Sequence, residues 1–330
     1  MPSVGLYFDL RNPPAWEVPW ARHYARALET MEQAEALGAS ALWLTEHHFF
    51  ADGYLPQPLT MAAAVAARTT RVRIGTAVYL PLLRNPVQVA EEAAIVDILS
   101  GGRLDLGIGV GYQPAEFAAF GARINRRFAD LESHVGALRS AWAGPVTPKP
   151  IQSPLPLWGG FFGPRGASLA GRLDLGLLAA KPDLLGPYRA GLTEAGHDPA
   201  RARLRALSPV ILADDPEAAW PLMRPHVDYQ WNNYRPAGTG DQDVPVRRLD
   251  VDRWAPSRGG SPWFVLTDVQ GAITHLTSMA HDIPLEEVYC WATLPGLPAD
   301  LASRHVELLL TEVAPRLHAA ARPDYYGTAG

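Results

Sequence analysis

Residues 41–80 read ALWLTEHHFFADGYLPQPLTMAAAVAARTTRVRIGTAVYL, and this stretch decides the fold class. Ala41–His47 is a short, bulky apolar run that predicts a strand, Leu59–Arg68 is an alanine-rich helix, and Val72–Leu80 is again a strand. Upstream, Val4–Leu10 reads as a strand and His23–Leu37 as a helix. In that helix Leu28, Met31, Ala34 and Leu37 recur at helical spacing before Gly38 stops it. Downstream, Pro86–Leu99 is a helix ended by Gly101-Gly102, Leu104–Val110 a strand, and Phe128–Trp142 a helix closed by Gly144-Pro145. The second half continues with strands at Leu155–Phe161, Leu175–Ala180, Leu204–Ala213 and Glu287–Leu294. Helices are predicted at Pro164–Leu173, Leu184–Ala195, Pro216–Tyr229, Val269–Ala280 and Ala299–Leu317.

Eight strand–helix alternations predict an α/β protein, a single (β/α)8 TIM barrel spanning residues 1–330. An open doubly wound sheet would carry a glycine-rich turn after its first strand, where Phe8-Asp9-Leu10-Arg11-Asn12-Pro13-Pro14 stands instead. Residues 236–262 break the rhythm with Gly, Pro, Asp and Arg; such an insertion is either a lid or a surface excursion, and both readings stand.

Composition narrows the partners. With 48% hydrophobic and 19% charged residues, the chain can bury a large core, and a formal net charge of −5 offers no basic field to a nucleic acid. No apolar run is long enough to span a bilayer, and the start lacks a charged region followed by an apolar one. The single cysteine, Cys290, cannot form an internal disulfide; the cytoplasm is the expected compartment.

Three segments carry candidate chemistry. Trp43-Leu44-Thr45-Glu46-His47-His48-Phe49-Phe50 falls at the C-terminal end of the second strand, where barrels place catalytic groups. Neighbouring strand residues face opposite sides, so Leu42 and Leu44 suit the helix-covered face, and Trp43, Thr45 and His47 point inward. His47 is therefore the candidate active-site histidine, with Glu46 or His48 in support; a purely structural His–Glu pair fits the pattern equally well. In Gly101-Gly102-Arg103-Leu104-Asp105-Leu106-Gly107-Ile108-Gly109-Val110-Gly111-Tyr112, the alternating glycines allow a flat ligand or a neighbouring backbone to come close. Trp158-Gly159-Gly160-Phe161-Phe162-Gly163-Pro164-Arg165-Gly166-Ala167-Ser168 is a strand, a turn and a helix start. Its free N–H groups, the helix dipole and Arg165 could together hold a phosphate, or it is a plain strand-to-helix turn.

The order and context of these segments resemble the luciferase-like, flavin-dependent monooxygenase family. The resemblance is carried by Trp43–Phe49, Ile74-Gly75-Thr76-Ala77-Val78, and Asn85-Pro86-Val87 with Ala90-Glu91-Glu92. Leu99-Ser100-Gly101-Gly102-Arg103 through Gly111 and Leu294-Pro295-Gly296 extend it, so that it runs from about Val4 to Leu317. It implies reduced FMN delivered by a separate flavin reductase, O2, and a small organic substrate. It makes His47 the active-site histidine and joins Ala77 to Val78 by a non-proline cis peptide beneath the flavin ring. It sets Gly109, Val110, Gly111 and Tyr112 along the flavin, and Phe162, Gly163 and Gly166 at its phosphate. Two positions depart from the family: Val110 stands where luciferase has arginine, leaving Arg165 as the candidate cation, and Gly163 stands where relatives have serine.

The same resemblance admits a hydride-transferring enzyme with a deazaflavin coenzyme, or a flavin-binding protein without turnover. A metal-dependent barrel hydrolase using His47 and His48 ranks last, and no metal is expected. Relatives pair through barrel helices, so Pro86–Leu99 is the expected homodimer face. Trp16, Trp20, Tyr79, Trp231, Tyr234 and Trp263 either line an aromatic pocket or pack, packing being favoured for most.

Overall fold

Eight parallel strands close into a barrel in the computed structural model, which describes residues 2–179, 181–238 and 248–319. The barrel strands are β1 (Ser3–Phe8), β2 (Ala41–Leu44), β3 (Arg73–Thr76), β4 (Leu104–Ile108), β5 (Leu157–Gly160), β6 (Gly176–Leu178) and β7 (Leu204–Ser208). β8 (Val210–Leu212) and β9 (Val265–Thr267) form a separate two-stranded sheet, and β10 (Leu285–Trp291) closes the barrel between β7 and β1. The fold is the TIM barrel expected from the eight alternations.

Register explains why the apolar runs are strands. Leu42 pairs with Leu6 on one side and Ile74 on the other, and all three are fully buried against the surrounding helices. The alternate positions face the barrel interior, where Ala41 and Trp43 pack with Trp158, Leu178 and Tyr289. The floor of the barrel is filled by a polar plug. Trp43 Nε1 donates to Glu287 Oε1 (3.0 Å), Trp158 Nε1 donates to Asp105 Oδ1 (3.1 Å), and the Arg205 guanidinium lies 4.0 Å from the Trp158 ring centroid. Arg205 Nη1 also reaches Asp105 Oδ2 at 2.8 Å, so the buried charges are paired. The plug fills the barrel at the N-terminal ends of its strands, and the mouth lies at their C-terminal ends.

The structure differs from the sequence reading in four places. The run 204–213 is two strands rather than one, because Pro209 has no N–H to continue the barrel ladder. Its carbonyl instead accepts from Val265 N (3.0 Å), and β8 leaves the barrel to pair with β9, a strand that sequence periodicity did not reveal. A short helix, α4 (Pro114–Ala119), follows β4; α1 (Trp20–Ala36), α2 (Pro58–Arg68) and α3 (Pro86–Leu99) precede it. After α5 (Arg127–Ala143), α6 (Pro164–Arg172) and α7 (Leu185–Glu194), α8 runs over Pro216–Gly238, nine residues past its expected end at Tyr229. The last expected helix is α10 (Ala299–Glu307), a π-helical turn over Leu308–Val313, and α11 (Ala314–Ala319), with α9 (Val269–Asp282) before β10.

Of the irregular segment 236–262, residues 239–247 lie outside the described residues. The part after them forms short turns at Val251–Trp254 and Pro256–Arg258, and Val251 and Trp254 are buried in a cluster with Trp220, Val227 and Trp291.

Candidate active site

The inward alternation that buries Trp43 continues past the end of β2 and carries His47 into the barrel mouth. There His47 is 6% exposed and ringed by Phe50, Tyr54, Tyr112 and Tyr234, with ring centroids 4.8 to 5.6 Å away. Its Nδ1 lies 2.9 Å from Glu116 Oε1, which also accepts from the backbone N–H of His48 at 2.8 Å. A carboxylate can only accept, so this network assigns the proton to Nδ1 and leaves the Nε2 lone pair free. Two phenols occupy that side, the Tyr112 hydroxyl at 3.0 Å and the Tyr234 hydroxyl at 3.2 Å, and the two hydroxyls also touch each other.

The phenols are donors at neutral pH. Burial, followed by the neighbouring Tyr234, raises Tyr112, and burial likewise raises Tyr234, Tyr54 and Tyr7 above the usual range. A second set of buried groups stands beside this one. Arg11 Nε donates to Asp52 Oδ2 (2.7 Å), Arg11 Nη1 to Gln230 Oε1 (2.9 Å), and the Tyr229 hydroxyl to Asp52 Oδ2 (3.0 Å). Burial lifts the Asp9 carboxyl to about 6 against the pull of Arg11.

At the ends of β3, β4 and β5 the mouth has a shelf. The Ala77–Val78 peptide bond is cis, as the resemblance implies. Val78 is seated between two glycines: a Cβ on Gly109 would come within 2.5 Å of Val78 Cγ2, and one on Gly160 within 2.3 Å of Val78 Cγ1. These glycines therefore make room for the Val78 side chain, and a β-branched residue offers no rotamer that would yield. On the neighbouring turn Gly163 is the N-cap of α6, with no side chain capping the first turn and open space where a Cβ would stand.

A sequence model of the luciferase-like monooxygenases matches residues 6–256. The chain belongs to this family. It is 29% identical to an F420-dependent glucose-6-phosphate dehydrogenase of Amycolatopsis mediterranei over 205 residues, 56% of this chain and 61% of that protein. It is 31% identical to the oxygenase component of a flavin-dependent trigonelline monooxygenase of Acinetobacter baylyi over 152 residues, 41% and 42% of the two chains. The matched regions of the first curated relatives span less than two thirds of their length, from 28% to 61%. In structure it is similar to the monooxygenase RslO1 of Streptomyces bottropensis, with a TM-score of 0.82 and 24% identity over 95% of this chain and 99% of that one. Relatives of this luciferase-like chain thus include both flavin-dependent monooxygenases and F420-dependent oxidoreductases.

Within this luciferase-like barrel the residues singled out from the sequence separate into three groups. His47 and Tyr112 meet in the mouth, and Ala77, Val78, Gly109, Val110 and Gly111 lie at the ends of β3 and β4 around it. Phe162, Gly163, Arg165 and Gly166 stand on the adjoining β5–α6 turn. There Phe162 is 85% exposed, Arg165 lies 4.4 Å from the Phe128 ring centroid, and Gly166 packs against Phe161. Glu46 and His48 belong to a third group and do not touch the His47 imidazole. Glu46 Oε1 accepts from Arg84 Nη1 (2.6 Å) and lies 2.9 Å from His48 Nε2, while Glu46 Oε2 accepts from Leu80 N. That buried set fastens the β2 end to the loop after β3.

Glu116, Asp52 and Tyr54 were not singled out from the sequence. Glu116 left one signal, since Pro114 and Glu116 at the first and third positions of a helix are ordinary start signs. Its position opposite His47, 69 residues away, left none. Of the six aromatic candidates, Tyr234 joins the site. Tyr79 packs beneath Arg84 with its hydroxyl on Glu92, and Trp231 packs among Trp254, Trp263 and Trp291. Cys290 is buried and its thiol is pushed up to about 12, which makes it unreactive. Among the described residues no three His, Cys, Asp or Glu side chains gather as metal ligands, and no helix is long and apolar enough to cross a membrane.

Proposed function

We propose that this protein is the oxygenase of a two-component system that takes reduced FMN from a separate reductase and inserts one atom of O2 into a small organic substrate. The carrying observation is the enclosed His47, with its Nε2 free toward two neutral phenols in a mouth lined by aromatic rings. The residues fit a flavin: the Val78 shelf between Gly109 and Gly160 suits a flat ring. The uncapped first turn of α6, with Arg165 beside it, suits a phosphate. Bound there, reduced FMN would supply two electrons, so that one oxygen atom enters the substrate and the other leaves as water.

The chain's own task is proton management and exclusion of water. Glu116 holds the His47 tautomer, Nε2 accepts a hydrogen bond from one of Tyr112 and Tyr234, and the other hydroxyl can donate to a developing negative charge in the mouth. His47 is the proposed catalytic residue, and Glu116 is its positioning residue. Glu46 and His48 are proposed to act only by anchoring the loop. A homodimer through α3 is proposed on the exposed Val87, Ile95 and Leu99 of that helix.

A second reading, hydride transfer with a reduced deazaflavin, is favoured by Val110, which gives a phosphate no charge. Oxygen uptake decides between them. O2 consumption with reduced FMN that does not end as the hydrogen peroxide released by free reduced FMN is expected; oxidation of a reduced deazaflavin without O2 loss would replace the oxygenase with the hydride-transfer enzyme.

A further inference from the structure

Arg11 joins the loops after β1 and β2 to α8. Its chain neighbour Leu10 takes the left-handed conformation (φ 56°), which a residue with a side chain adopts only where its surroundings hold it there. Backbone bonds do so on both sides: Leu55 N donates to Asp9 O (3.0 Å) and Asn12 N to Asp52 O (2.8 Å). Leu55 O in turn accepts from His47 N (3.1 Å). The turn that carries Arg11 and the loop that carries His47 are thus one tied unit.

The Arg11 guanidinium connects that unit to α8. Nε donates to Asp52 Oδ2 (2.7 Å), which also accepts from the Tyr229 hydroxyl (3.0 Å), and Nη1 donates to Gln230 Oε1 (2.9 Å). The Arg11 and Asp52 side chains are 1% and 3% exposed. Ion pairs this far from water add little net stability over an apolar filling, but their bonds are directional. Gln230 stands one helical turn before Tyr234 on the same face of α8, and the Tyr234 hydroxyl lies 3.2 Å from His47 Nε2. Trp231 and Asn232 turn elsewhere, to Trp254 and to the Leu249 carbonyl.

We propose that Arg11 is a positioning residue of this site: by gripping Gln230, and Tyr229 through Asp52, it sets α8 so that the Tyr234 hydroxyl stands at His47 Nε2. Arg11 acts through Tyr234, and the bonds that seat Arg11 end on the backbone that carries His47. Its effect on turnover rests on the oxygenase reading above; its effect on the approach of Tyr234 to His47 does not.

The test reads two ring pairs by nuclear Overhauser effects in the flavin-free protein. The His47 ring has Tyr234 at a centroid distance of 5.6 Å and Tyr54 at 4.8 Å. Gln230→Leu keeps the Arg11–Asp52 pair and should lose the Tyr234–His47 effect while sparing the Tyr54–His47 effect; a general loosening of the mouth would remove both. Gln230→Glu, which keeps an acceptor for Arg11, should restore the Tyr234–His47 effect. In the flavin-loaded enzyme Gln230→Leu should slow turnover as much as Tyr234→Phe does, about threefold to tenfold. In the Tyr234→Phe background it should slow turnover no further. Tyr229→Phe, at a half-buried residue, is read in the same way should Gln230→Leu not fold. An unchanged Tyr234–His47 effect, equal loss of both effects, no recovery in Gln230→Glu, or further slowing in the Tyr234→Phe background overturns the proposal. Loss of the Tyr234–His47 effect with turnover unchanged supports the positioning role and overturns only Tyr234's part in the oxygenase reading.

Discussion

Glu116, on the short helix after β4, holds the Nδ1 of His47 at 2.9 Å, and with the same oxygen it holds the backbone of His48. One carboxylate thus fixes both the tautomer of the proposed catalytic ring and the course of the chain that carries it. Glu116→Gln preserves the shape but can present an N–H to Nδ1, which turns the proton to Nε2. Turnover should fall about 10- to 100-fold, the range for an orienting partner, with little change in flavin affinity. Steady-state kinetics beside flavin titration checks this, and Glu116→Asp should recover part of the rate.

Tyr112 and Tyr234 share one acceptor, so their hydroxyls are not independent. Tyr234→Phe and Tyr112→Phe should each slow turnover by about threefold to tenfold, as expected for one neutral hydrogen bond. The double variant should lose more than the product of the two, since either hydroxyl can cover for the other. Strictly multiplicative losses would show that the phenols act separately.

Gly160 exists at its position because Val78 occupies the space a Cβ would need, 2.3 Å from Cγ1. Gly160→Ala should weaken flavin binding by about tenfold through displacement of the shelf, a cost within the 1–3 kcal/mol typical of overpacking. Adding Val78→Ala should restore much of the affinity. A fluorescence titration of both variants decides, and failure of the second change to rescue would mean the shelf is not the flavin's support.

Arg165 is the cation nearest the uncapped start of α6 in sequence, and it stacks on Phe128. If a phosphate binds there, Arg165→Ala should weaken FMN about tenfold, in keeping with a charge-assisted hydrogen bond of roughly 1.5–3 kcal/mol. Riboflavin, which lacks the phosphate, should bind both proteins equally. Equal losses for the two flavins would remove Arg165 from the phosphate site.

The polar plug of the barrel floor sets a pH limit. Burial lifts the Glu287 carboxyl from its ordinary value of 4.5 to about 7, despite Arg205 and the Trp43 hydrogen bond. Folding therefore binds a proton at this residue between those two values. The stability that follows is fully present below about 4.5 and is lost as the pH rises from there through about 7. Glu287→Gln removes this titration, so its melting temperature relative to the unaltered protein should rise by about 2–4 °C or more from pH 5 to pH 8. Parallel melting curves across that range would refute the assignment.

The barrel was legible in the sequence because its causes are local. Ala41–Leu44 must alternate Trp43 inward with Leu42 and Leu44 outward, and that rule, continued for three residues, aims His47 into the mouth. The same rule says nothing of where Glu46 finds its partner. Glu46 turned to Arg84 and His48 because the neighbouring loops supplied a cation and a backbone N–H there. The Pro209 break was visible as a proline, yet the strand it frees needed β9 from 55 residues later, a pairing no periodicity encodes.

Strand order, the inward histidine and the glycine-rich strand ends were thus determined by the sequence itself, through side-chain alternation and chain stiffness. Glu116 against His47, and Tyr234 at the same imidazole, were decided only by tertiary structure. Each joins residues distant along the chain whose meeting depends on how the loops at the barrel mouth pack. Hydrogen-bond geometry at that mouth is set by the closed barrel beneath it, and it exists only once the eighth strand has met the first.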